Sequence, residues 1–213
     1  MPGPMPNDAQ AARPVVLSAG QYRRRVRREA EQALVSLPAA IPTLRLDIRY
    51  ATARNFMGEA LYATAAAYLR RPAAEALAAA QHELATHGLG LLVFDAYRPY
   101  RTTVRMWDKI QNETYAAPPW RGSRHNRGCS VDVGLVALAT GRPVPMPTDF
   151  DDFTPAAHAD YEPVPPDARH YRTLLRTVLA HHGFQNYPGE WWHFDFHRWA
   201  EFDLLDVAFE ELE

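Results

Sequence analysis

The stretch LGLLVFDAYRP, Leu89 to Pro99, restricts the fold of this chain more than any other. Six consecutive residues carry no polar side chain, so neither face of the segment can lie in water. Polar residues and a proline then close it. Such a run, bounded this way, reads as a buried central strand ending at Asp95 to Arg98, and the remaining elements must cover both of its faces.

Candidates for that cover follow along the chain. Ser18 with Gln21 three residues later fits a capping box, and Tyr22, Val26, Ala30, Ala33 and Leu34 recur at helical spacing until Pro38 and Pro42. The arginines at 23, 24, 25, 27 and 28 form the solvated face of that helix. Leu44, Leu46, Ile48 and Tyr50 alternate with polar residues as a half-buried strand. An alanine-rich helix starts at Pro72 and stops before Gly88. A short helix carries Val104, Met106 and Trp107. Gly128 to Leu135 is a strand, and Gly141 to Pro166, with seven prolines, is a long loop. A helix through Tyr171, Leu175 and Leu179 ends at Gly183, and PGEWWHFDF is a last strand. Helices and strands mix without βαβ regularity, so the class is α+β.

With 213 residues, 47% of them apolar, the chain can bury one large core. The expected organisation is a disordered tail over 1–15 and a single domain over 16–213. The proline-rich start MPGPMPNDAQAARP has neither a basic nor an apolar signal region. No apolar run approaches the roughly 18 residues of a membrane span, so a cytoplasmic protein is expected. A net charge of −2 gives no reason to expect a nucleic-acid partner. One cysteine excludes a disulfide framework and a Cys-rich zinc knuckle, leaving His, Asp and Glu to bind any metal.

Of nine histidines, those at 82, 87, 170, 181, 182 and 197 read as surface or structural, and His158 lies in the long loop. His125 and His193 differ in their neighbours. In SRHNRGCSVD, strand alternation turns Cys129 and Val131 into the core and Asp132 to the other face, where His125 can fold back to meet it. Spacing alone leaves a simple His–Asp hydrogen bond in a turn open as the alternative. Glu190 and His193 in EWWHF offer a carboxylate and an imidazole, provided that a bend at Pro188 and Gly189 brings them to one side. Without that bend the segment is an aromatic core strand. Arg98, at the end of the apolar run, needs an anion: either a ligand or Asp95.

Taken in order, RYATARNFMG, LLVFDAYRP, SRHNRGCSVDVGL, VPMPTDFDDF, LLRTVLAHHGF and EWWHF resemble the zinc D-alanyl-D-alanine dipeptidases of the VanX type over roughly 44–205. The resemblance implies a central antiparallel sheet flanked by helices with one zinc ion at the sheet, held by His125, Asp132 and His193. It implies Glu190 as general base, Arg98 as transition-state stabiliser, and Asp151 and Ser123 as substrate-binding residues. Asp149 and Asp152 lie close enough to compete with Asp151 for the substrate's amino terminus. Zinc chemistry suits these residues: it lowers the pKa of bound water from about 15.7 toward about 7, and a nearby carboxylate takes the proton. The expected partner is a small dipeptide, not a nucleic acid or a membrane. The expected reaction is hydrolysis of D-alanyl-D-alanine to two D-alanines. A carboxypeptidase or endopeptidase acting on longer peptidoglycan peptides, or a non-catalytic binder that retains the metal, could use the same ligands. Oligomeric state is not legible.

Overall fold

The structure, a computed structural model, describes residues 14–113 and 116–212. Apart from Pro14 and Val15, the expected tail therefore lies outside the described residues. In chain order the elements are β1 (Val16–Ser18), α1 (Ala19–Arg28), β2 (Leu34–Ser36), α2 (Leu37–Ala40), β3 (Arg45–Leu46), β4 (Tyr68–Arg70) and α3 (Arg71–Thr86), followed by β5 (Leu89–Asp95) and α4 (Tyr100–Ile110). After these come β6 (Ser130–Ala137), α5 (Pro166–His181), β7 (Phe184–Asn186), β8 (His193–Phe196) and β9 (Leu204–Asp206).

A five-stranded sheet, ordered β3-β5-β6-β8-β7, organises the molecule. β5 is buried along its whole length, as its apolar run requires, and α3 and α5 pack on the sheet through Leu77, Leu84, Leu175 and Leu179. The class is α+β. The expectation of an antiparallel sheet needs a correction at one edge: β3 runs parallel to β5, and the other pairs are antiparallel. Two small pairs flank the sheet, β1 parallel to β9 and β2 antiparallel to β4.

Three expected elements are shorter than the sequence suggests. The first helix stops at Arg28, and Leu34 belongs to β2. Buried Arg70 takes the carbonyl of Gln32, and Arg71 N–H donates to that of Ala33. Charged hydrogen bonds of about 1.5–3 kcal/mol outweigh helix propensities of a few tenths per residue. The strand expected over Leu44 to Tyr50 keeps only Arg45 and Leu46 in the ladder. Beyond it, Arg49 turns to Asp47 and Asp149, and Tyr50 packs edge-on against Phe56, Tyr62 and Phe150. The expected last strand starts only at His193, and β9 follows it.

Candidate active site

The site is built on one face of the sheet. β6 alternates as expected: Cys129, Val131 and Val133 are fully buried, and Asp132 points the other way. Register places Asp132 directly opposite His193 on β8 and opposite Asp95 on β5. The second pairing depends on a bulge. Val93 faces Val133, Phe94 is skipped, and Asp95 faces Asp132, so the extra residue moves Asp95 from the core side to the site side.

His125 reaches the same place from the loop before β6, where His125–Arg127 forms one turn of 3-10 helix. Gly128 ends the turn at φ 69°, and a Cβ there would lie 2.6 Å from Leu34 Cδ2, so only glycine suits both backbone and packing. Asn126, wholly buried, staples this loop to the YRP segment by donating to Arg98 O and Thr103 Oγ1, both at 2.8 Å. His125 Nδ1 lies 2.7 Å from the carbonyl of Ala96, which directs Nε2 into the site.

Glu190 occupies the turn that joins β7 to β8. The expected bend is present, but as this turn preceding the strand and not as a bulge within it. Asn186 Nδ2 donates to the carbonyls of Glu190 (3.0 Å) and His193 (2.9 Å), and Trp191 Nε1 donates to Thr148 Oγ1 at 2.9 Å. The aromatic residues thus anchor the turn while Glu190 Oε2 comes within 3.7 Å of His193 Nδ1.

His125 Nε2, Asp132 Oδ1 and His193 Nδ1 stand 3.0–3.4 Å apart. Tetrahedral ligands at zinc–nitrogen and zinc–oxygen distances of about 2.0–2.1 Å would be spaced by about 3.3 Å, so the donor set fits that ion. Among the described residues this is the one cluster of three such side chains able to hold a metal. Burial would raise the Asp132 carboxyl, but His125 and His193 hold it below the ordinary carboxylate range. Burial lifts Glu190 to about 7 against the pull of His193, with Asp132 adding to the rise.

Of the two anions open to Arg98, the one the structure shows is Asp95. Its Nε and Nη2 contact Asp95 Oδ2 at 3.0 and 2.7 Å, its guanidinium covers the Tyr50 ring, and it still lines the cavity. Tyr62 donates to the other Asp95 oxygen at 2.8 Å, completing the support. Asp151 lines the same cavity at φ 62°; Oδ1 accepts from Tyr50 at 3.0 Å, and Oδ2 is buried with no hydrogen-bond partner. Burial, then the charge of Asp132, pushes this carboxyl well above its ordinary value. Asp149 is engaged by Arg49 and Asp152 by the Thr154 amide, which separates them from Asp151. Ser123 also lines the cavity, and its hydroxyl accepts the His125 amide at 3.2 Å. His158 is exposed.

Sequence reasoning missed Tyr62, Asn126 and Asp195. Asp195 was legible in principle, because it alternates with His193 in HFDF and shares its face. Asn126 and Tyr62 leave no local signal, since their partners are distant in the chain.

Two imidazoles and one carboxylate that could hold a metal ion, with a second carboxylate beside them, line a cavity of about 510 Å³, the residue types that a hydrolytic metal site requires. The chain belongs to the D-ala-D-ala dipeptidase family, whose sequence model matches residues 30–203. This is a family of zinc metallopeptidases. The D-alanyl-D-alanine dipeptidase of Escherichia coli is 34% identical over 176 residues, covering 83% of this chain and 91% of that protein. That of Enterococcus faecium is 31% identical over 171 residues, covering 71% and 85%. The structure of VanYB in complex with D-alanine-D-alanine aligns at a TM-score of 0.42 and 15% identity, covering 68% of this chain and 82% of that one. Among the described residues no helix is long and apolar enough to cross a membrane.

Proposed function

We propose that the chain hydrolyses D-alanyl-D-alanine to two D-alanines in the cytoplasm, with residues 16–213 forming one zinc peptidase domain. The observation that carries this reading is the convergence of His125, Asp132 and His193 beside Glu190, in a member of this family. The three side chains would hold one zinc ion. When bound, zinc supplies Lewis-acid polarisation and makes water acidic enough to be deprotonated near neutrality. Glu190 takes the proton from the attacking water and delivers it to the leaving amine, for which a carboxyl near 7 is well matched. Arg98, held by Asp95, meets the developing oxyanion with a permanent charge, a contribution of about 3–4 kcal/mol. The unpartnered Asp151 Oδ2 receives the substrate ammonium, and Ser123, which lines the same cavity, contacts the substrate.

The test is zinc content together with cleavage of D-alanyl-D-alanine against the L,L-dipeptide. Zinc-loaded protein should cleave only the D,D form, and Glu190→Gln should lower kcat by about 10²–10⁴-fold. Inactivity of the zinc-loaded protein toward the dipeptide would overturn the reading. The cavity falls within the range of drug-sized ligands, roomier than a dipeptide requires. A pentapeptide stem in the same assay therefore separates a dipeptidase from a carboxypeptidase.

A further inference from the structure

We propose that Asp195 is a positioning residue for the His193 ring, and that Arg124, braced on Trp199, holds Asp195 in place, so that an arginine of the cavity wall serves the metal centre and not the substrate. This inference rests on His193 being a zinc ligand. His193 has two ring nitrogens to commit. Nδ1 lies 3.0 Å from Asp132 Oδ1 and 3.2 Å from His125 Nε2, and Nε2 lies 3.1 Å from Asp195 Oδ1. A proton held on Nε2 by Asp195 leaves Nδ1 with its lone pair toward the other donors.

Asp195 is itself fully engaged. It faces Ser130 across the β6–β8 ladder, and Ser130 Oγ donates to Oδ1 at 2.5 Å. Arg124 Nη1 donates to Oδ2. The Asp195 side chain is only 5% exposed whereas that of Arg124 is 44% exposed, so the ion pair runs from the cavity wall to a buried anion. An exposed arginine would ordinarily sample many rotamers. Here its guanidinium sits 4.5 Å from the centroid of Trp199, which Arg127 also covers at 5.5 Å. The two histidines therefore differ. His125 is oriented by a backbone carbonyl that no side-chain substitution removes, and His193 by a carboxylate that one substitution deletes.

The experiment is a competition titration of zinc against a chromophoric chelator, with thermal midpoints of the metal-free proteins and steady-state kinetics at saturating zinc. Asp195→Asn and Asp195→Ala should bind zinc about 10–100-fold more weakly than wild type, with Asn the milder. Arg124→Ala should weaken zinc in the same direction while KM for the dipeptide holds, and Arg124→Lys should recover part of the loss. If Asp195→Ala lowers the metal-free midpoint, Asp195→Asn carries the comparison. Wild-type zinc affinity in both Asp195 variants would overturn the positioning role. A raised KM with intact zinc affinity in Arg124→Ala would make Arg124 a substrate residue and overturn its part. Failure of wild type to bind zinc would refute the ligand set itself, and with it this inference.

Discussion

Cys129 lies between His125 and Asp132 in sequence, yet it takes no part in their chemistry. Its side chain is fully buried, with Sγ 3.6 Å from the Arg127 carbonyl, and burial pushes the thiol up to about 12 against the charges of Arg70 and Arg127. In native protein at pH 8–9 the thiol should resist Ellman's reagent and titrate one group per chain only after unfolding. The sign of the linkage follows. The unfolded thiol ionises near about 8.5, so its stabilising contribution is complete below that pH and declines as pH rises toward the folded value. A rapid native-state reaction at pH 8 would contradict this. Local alternation was enough to assign Cys129 and Asp132 to opposite faces, because the period of a strand is a property of a few residues. That Asp151 keeps an unpartnered oxygen while Asp149 and Asp152 are engaged depends on contacts to Tyr50, Arg49 and Thr154 that no local pattern encodes.

Among the elements, the turn between β7 and β8 sets where the Glu190 carboxylate lies relative to His193. Asn186 holds that turn by hydrogen bonds of ordinary length to two main-chain carbonyls. Asn186→Ala should cost about 1–3 kcal/mol in urea unfolding by leaving the Glu190 carbonyl unpaired, while that of His193 keeps the Tyr187 N–H, and should lower kcat while zinc content stays near one per chain. Unchanged kcat would show that the turn holds its shape without the side chain. Sequence reasoning saw that Pro188 and Gly189 must redirect the chain, but placed the bend inside a strand. Aromatic residues at 191 and 192 suggested ladder positions, whereas they serve as anchors beneath a turn. The first helix was overextended for the converse reason: apolar spacing continued past Arg28, but pairing with β4 offered the chain more.

Across the whole molecule, Arg70 joins segments that the sequence keeps far apart. It is fully buried, donates to the carbonyls of Gln32, Arg127 and Asp203, and packs against Tyr22 and Phe202. Burial lowers its pKa. Among the described residues no carboxylate takes these donors; three main-chain carbonyls do, one from the N-terminal segment, one from the loop carrying His125 and one from the C-terminal segment. Arg70→Met should lower stability by more than about 3 kcal/mol, read as a drop in urea midpoint, since three charged hydrogen bonds are lost and buried acceptors stay unpaired. A loss below 1 kcal/mol, with roughly that little change in midpoint, would mean that the carbonyls find other donors.

The sequence by itself determined the buried strand at Leu89, the α+β class, the face to which Asp132 points and the residues available for metal chemistry. Each of these follows from hydrophobic periodicity or residue type, which act over a few neighbouring positions. Tertiary structure alone decided the bulge at Phe94 that turns Asp95 toward Arg98, the register that sets Asp132 against His193, and the pairing that ends the first helix at Arg28. Those outcomes depend on hydrogen bonds between strands and loops distant in the chain, whose free energies exceed local preference.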